Sequence, residues 1–175
     1  MGPVPQLEEL FRASAGVLGT DLDGYRNHTQ RVFHFAQELG AEGPEAERKL
    51  AIACYFHDLG IWTDQTFDYL EPSVVRATAY LEEQGLSEWG EEIASMIREH
   101  HKITRAGSAD SLVEIFRRAD WIDVSLGILR FGIPGPFLRE VQQAFPDCGF
   151  HRRLVVLTLD RLRTHPFSPL PMFHW

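Results

Sequence analysis

The sequence predicts an all-α protein, a compact single domain of several helices spanning residues 1–175. Apolar residues recur at helical spacing along most of the chain. Alternating runs bounded by turn residues, the mark of half-buried strands, are nearly absent. Gly40, Pro44, Gly60 and Gly85 fall between the periodic stretches, where helices end or begin.

A first short helix is expected from Val4 to Ala13, with Leu7, Leu10 and Phe11 on its inner face. The second starts near Asp21 or Asp23, either of which can cap the first free amides, and stops at Gly40. Its stripe is Tyr25, His28, Val32, Phe35, Ala36 and Leu39, so His28 points inward. A third helix from Pro44 to Leu59 puts Ala46, Leu50, Ala53, Cys54 and His57 on one face. Gly60 is its expected C-terminal cap, which sets His57 and Asp58 in the last turn. Pro72–Gln84 and Ser87–His101 follow, divided by Gly85. Ile93, Met96, Ile97 and His100 share a face of the latter, and His101 lies one step around. The sixth helix, Ala109–Val124, turns Leu112, Ile115, Phe116, Ala119 and Asp123 inward, with Asp120 beside Phe116. Residues Gly127 to Pro136 (GILRFGIPGP) are too rich in breakers for a helix and form a candidate lid or pocket wall. Helices at Phe137–Ala144 and Phe150–Arg163 lead into an aperiodic aromatic tail, residues 165–175 (HPFSPLPMFHW). Such an apolar end packs on the domain or on a second subunit, which leaves a homodimer open.

The formal net charge is −8 and the basic residues are dispersed, so the electrostatic footprint of a nucleic-acid binder is missing. No stretch has the length and apolarity to span a bilayer, and MGPVPQLEELF lacks the basic-then-apolar pattern of an export signal. The two cysteines, Cys54 and Cys148, match no metal-knuckle spacing and suit a reducing compartment. A cytoplasmic protein that handles a small molecule is the expectation.

The residues able to carry chemistry are His28, the pair His57-Asp58, the pair His100-His101, and Asp120, each near one end of a helix. Ionisable groups on apolar faces need something to offset their desolvation, and one divalent cation would do so for all of them. The free carbonyls and dipole at the C-terminal end of the third helix favour such a cation. Two imidazoles and two carboxylates make a mixed nitrogen and oxygen set suited to manganese, iron, cobalt, nickel or zinc, with coordination positions left open. Water on such an ion loses a proton readily, and a phosphoryl oxygen beside it would be polarised. Any one of these histidines taken alone is more often satisfied by a backbone carbonyl; the joint pattern over four helices is what favours the ion. Asp123 is either an acceptor for a ligand histidine or merely the end of its helix. His34, His151, His165 and His174 have no companions at useful spacing and read as surface or packing residues.

In this order, the segments YRNHTQRV, ACYFHDLGIW, IREHHK and FRRADWIDVS, within about residues 22–125, resemble the HD-domain superfamily of metal-dependent phosphohydrolases. The resemblance implies that His28, His57, Asp58 and Asp120 ligate one divalent metal and that Asp58 also orients the attacking water. His100 and His101 decide the metal count. In branches with a two-metal centre, such as the HD-GYP phosphodiesterases, a His-His pair supplies ligands and the doublet aspartate bridges both ions. This chain keeps the pair but has no histidine between Asp58 and His100, so one ion is expected and two remain open. Ile61 stands where the branch resembling bacterial deoxynucleotidases carries a glutamate, and the HDLG form looks like the branch containing cyanamide hydratase.

Metal-dependent hydrolysis of a small phosphorylated metabolite or nucleotide is therefore the leading expectation. The alternatives are hydration or di-iron oxidation of a small non-phosphate molecule, and a non-catalytic metal-binding module. Lys102, Arg31 and Arg105 are candidate substrate contacts, as are Arg117 and Arg118, since their charges suit phosphate oxygens. Trp62, Tyr69, Trp121 and Phe131 are candidate pocket walls.

Overall fold

The structure is a computed structural model that describes residues 1–12 and 15–173. Ala13, the expected end of the first helix, and His174 and Trp175 in the tail lie outside the described residues. Within them the regular structure is helical and no strand forms. In chain order the helices are α1 (Pro5–Arg12), α2 (Ala15–Leu18), α3 (Leu22–Glu38), α4 (Pro44–Phe56), α5 (Gly60–Thr63), α6 (Leu70–Glu83), α7 (Gly90–Glu99), α8 (Leu112–Val124), α9 (Gly135–Ala144) and α10 (Phe150–Thr164). Short 3-10 turns at Gly19–Asp21 and Ser87–Trp89 lead into α3 and α7.

Helix α3 is the hub. It packs on α8, α4, α1 and α9, while α7 lies across α6, α8 and α4. Tyr25, His28, Val32, Phe35 and Ala36 are all buried, as a 3.6-residue period requires of the inner face. The Tyr25 phenol donates to the Tyr55 carbonyl at 2.7 Å, tying α3 to α4. From the other side α1 adds Leu7 and Phe11, each fully or nearly fully buried and each stabilising by about 1.5–3 kcal/mol. Gly24 is where α10 begins to press on α3: a Cβ there would lie 3.2 Å from the Cys148 carbonyl and 3.3 Å from the Phe150 nitrogen. That close approach lays the Phe150 ring over the His28 ring, with centroids 4.1 Å apart and planes 14° from parallel.

Several expected boundaries move. The cap proposed at Asp21 does not form; its carboxylate instead accepts from the Trp62 indole at 2.9 Å and pairs with Arg153. Helix α3 ends near Gly40 as expected, because that glycine takes φ 113° and lets the Ala41 amide bond back to Ala36. Helix α4 stops at Phe56, short of the expected Leu59. Gly60 is not its left-handed cap but the first residue of α5, and it is there for lack of a side chain: a Cβ would sit 2.7 Å from the Tyr69 carbonyl. Helix α6 starts two residues before Pro72, within the first turn, where an amide is not needed. Helix α7 is shorter than the expected Ser87–His101, so the two histidines sit in the turn just past its end. Helix α8 starts at Leu112 rather than Ala109 because the Ser111 hydroxyl accepts from the Glu114 amide and caps it there.

Candidate metal centre

Four segments deliver their polar side chains to one buried point. His28 comes from the middle of α3, His57 and Asp58 from the turn that closes α4, His100 and His101 from the turn after α7, and Asp120 from α8. His28, His57, His100 and Asp120 are fully buried, Asp58 is 2 % exposed and His101 7 %. The sequence-predicted metal ligands are thus all brought together.

The inner contacts are close. His28 Nε2 lies 2.9 Å from His57 Nε2. Asp120 Oδ1 is 3.5 Å from the first nitrogen and 3.7 Å from the second, and Asp58 Oδ2 is 3.8 Å and 3.5 Å from them. On the other side, Asp58 Oδ1 lies 3.4 Å from His100 Nε2, and Asp120 Oδ2 lies 3.4 Å from His101 Nδ1. Each carboxylate therefore presents one oxygen to the His28-His57 side and the other to the His100-His101 side.

Outer partners fix the rings. The Nδ1 proton of His28 goes to Asp123 at 2.7 Å, that of His57 to the Cys54 carbonyl at 2.8 Å, and that of His100 to the Ile97 carbonyl at 2.6 Å. With those protons placed, the facing Nε2 atoms of His28 and His57 are two bare lone pairs at 2.9 Å, which repel unless a cation lies against them. The donor set shows the same lack of partners: Asp58 Oδ1, His100 Nε2, His101 Nδ1 and both Asp120 oxygens are buried with no hydrogen bond. An unsatisfied buried polar atom costs about 1–3 kcal/mol, so a cluster of them marks a site for a ligand. Three overlapping groups, His28-His57-Asp120, His57-Asp58-His100 and His100-His101-Asp120, each hold donor atoms within 4.8 Å of one another. The residues present fit a divalent metal.

Electrostatics agree. Burial pushes His57 down to about 3 and lowers His28 despite Asp123, so the fold disfavours a charge on either ring. Burial works against the Asp58 carboxylate, yet His57, His100 and His28 hold it well below the usual carboxylate range. Burial, joined by Asp58 and Asp123, pushes Asp120 well above that range even though His100 opposes it. Two buried acids that face each other without added positive charge are thus pushed in opposite directions.

A sequence profile of the HD domain matches residues 25–125, more than half of the chain and all of the segment that supplies these donors. The chain belongs to the HD-domain family. No curated protein and no solved structure matches it significantly.

The HD-domain site is braced by residues whose role the sequence left open or hid. Asp123, left undecided, accepts from His28 and is gripped by Arg31 through both carboxylate oxygens, at 2.5 and 2.8 Å. Arg31 is 2 % exposed and also bonds the Phe145 carbonyl, so it stands behind His28 and not toward a substrate, contrary to expectation. Glu114 is fully buried, accepts from Arg117, Arg118 and the Ala106 amide, and so pins the loop after His101 to α8. Arg117 and Trp121 both donate to the Lys102 carbonyl at 3.1 Å, which holds the His100-His101 turn in place. Their polar spacing along α8 was visible; their partners, 15 and 19 residues away, were not. Lys102 pairs with Glu99, and Arg105 is exposed.

The tail covers the His101 side. Phe173 stands perpendicular to His101 at 5.2 Å and stacks on Trp121 at 5.6 Å. Met172 is buried in a small cluster with Ile61, Phe67 and Tyr69. Of the expected pocket walls, Tyr69 and Trp121 are therefore beside the donors, Trp62 packs one layer back on Tyr25, and Phe131 lies under the Arg117 guanidinium. The loop expected over 127–136 is anchored by buried Ile133 and is shorter, because Gly135 and Pro136 open α9.

Proposed function

We propose that this protein is a metal-dependent hydrolase that cleaves a phosphoester of a small metabolite or nucleotide at the cluster of His28, His57, Asp58, His100, His101 and Asp120, residues that would hold two divalent cations. The observation that carries the reading is the set of buried, unpartnered polar atoms converging from three segments on the facing Nε2 atoms of His28 and His57. The split of both carboxylates between the two histidine pairs supports two ions over the one expected from sequence. A bound divalent cation supplies a Lewis acid for phosphoryl oxygens and an acidified water for attack.

The chain's own residues do the rest. Asp58, whose carboxylate is held well below the usual range, would serve as a ligand and orient the attacking water. His28 is held as a neutral ligand by Asp123 and Arg31. Phe173, Met172 and Trp121 keep bulk water from the His101 side, which strengthens every charge interaction inside. The membrane enters only negatively: no helix of the described residues is long and apolar enough to cross one.

Phosphate release from a panel of nucleotides and sugar phosphates, with manganese, iron, cobalt, nickel or zinc supplied in turn, tests the proposal. Turnover that disappears in D58A, with helicity intact, supports it. One observation favours a second reading, hydration or oxidation of a small non-phosphate molecule: Arg31 and Arg117 are engaged by carboxylates, and the wall beside His101 is aromatic. Turnover of a nitrile, or of any substrate only with iron and dioxygen, in the absence of phosphatase activity would replace the first reading with the second.

A further inference from the structure

The four clustered histidines are not held alike. His28, His57 and His100 each spend Nδ1 on an outer acceptor and turn Nε2 inward. His101 is reversed: its Nε2 meets the Tyr69 hydroxyl at 2.9 Å and its Nδ1 is the atom left unpartnered, 3.4 Å from Asp120 Oδ2. A neutral imidazole carries one proton, and the partner of one nitrogen decides whether the other has a lone pair to offer.

Tyr69 is built for one position. It is 1 % exposed, immediately precedes α6, and its carbonyl accepts the Ser73 amide at 2.9 Å while closing on Gly60. Its ring packs with Ile61, Phe67 and Met172, and stands 6.2 Å from the His100 ring.

We infer that Tyr69 is a positioning residue for the second cation. Its hydroxyl oxygen accepts the Nε2 proton of His101, which leaves Nδ1 of that ring as a lone pair aimed at the gap shared with Asp120. The inference rests on the two-ion reading above and assigns to one phenol the task that a carboxylate or carbonyl performs for the other three histidines. Loss of such a partner typically weakens metal binding 10- to 100-fold. Replacing Tyr69 by Phe removes the acceptor and keeps the ring in its apolar cluster.

The test is a titration of the full metal-free chain with manganese alone, read by calorimetry and by metal content after gel filtration. Wild type should take up two ions. Y69F should keep the tighter ion at wild-type affinity and bind the weaker one about tenfold less well. In an H101A background, where that ion has already lost its nitrogen ligand, adding Y69F should change nothing further. Uptake of both ions by Y69F at wild-type affinity, or an added loss in the double variant, overturns the role given to Tyr69. A single ion bound equally by wild type and H101A removes the two-ion reading itself, and the role of Tyr69 with it; no uptake at all removes the metal site.

Discussion

Replacing Asp120 by Asn should make the metal-free protein more stable. Both Asp120 oxygens are buried without a hydrogen bond and face the inward nitrogens of His28, His57 and His101 at 3.4–3.7 Å. An amide of the same shape offers those nitrogens a donor without the cost of taking up a proton at neutral pH. Satisfying one or two such atoms is worth about 1–3 kcal/mol, which for a chain of this size raises Tm by roughly 2–12 °C. The pH dependence has a definite sign. A carboxyl whose pKa is raised by folding destabilises the fold above its unfolded pKa, and the penalty fades as pH falls toward that value, where both states hold the proton. The gain of D120N is therefore largest near neutrality and shrinks toward about pH 4. Metal reverses the order: at 1,000 times Kd a bound cation stabilises the wild type by about 4.1 kcal/mol, and the variant gains little. Thermal unfolding in chelator and in excess manganese reads both effects. A D120N protein less stable than wild type in chelator, or one that gains equally from manganese, refutes the idea that Asp120 waits for a cation.

Three other outcomes follow from the same geometry. Glu114 is held at about 2, against its burial, by Arg117, the Ala106 amide and Arg118; its contribution is present above the unfolded value of 4.5 and is lost as pH falls toward 2. E114Q should cost about 3–5 kcal/mol at neutral pH by stranding buried Arg117 and should flatten that acid transition, both readable by urea unfolding at several pH values. G60A should destabilise by about 1–3 kcal/mol, because a Cβ 2.7 Å from the Tyr69 carbonyl forces backbone apart; helix propensity alone predicts the opposite sign, so a more stable variant would dismiss the close-approach argument. F173A should lose about 0.5–1.5 kcal/mol of aromatic pairing over His101 and release metal to a chelator roughly 2- to 10-fold faster with unchanged helicity; an unchanged rate would show that metal leaves by another side.

The donors were legible in the sequence because burial leaves a periodic trace. His28 falls in the stripe with Tyr25 and Val32, His100 in the stripe with Ile93 and Ile97, and His57-Asp58 at the end of an apolar run, so spacing alone turned them inward. What spacing does not carry is the partner of a charge. Arg31 sits one turn after His28, as a phosphate contact could; only the fold reveals that Asp123, 92 residues on, takes the Nε–Nη2 edge of its guanidinium. Tyr69 reads as an aromatic near a helix start, and its link to His101 spans 32 residues. The boundary errors share a local cause. Gly60 was read as a helix cap from its freedom of φ, whereas its use here is the absence of a Cβ beneath Tyr69.

The Phe173 contact also bears on how the protein should be handled. Any sequence joined after Trp175 begins three residues beyond the ring that stands against His101. A polyhistidine purification handle joined so near to Phe173 in the chain would compete with the donor cluster for the same ions. Metal contents measured on such a fusion would report the handle as much as the protein, whereas the same handle at the opposite terminus leaves the tail free to lie against Trp121.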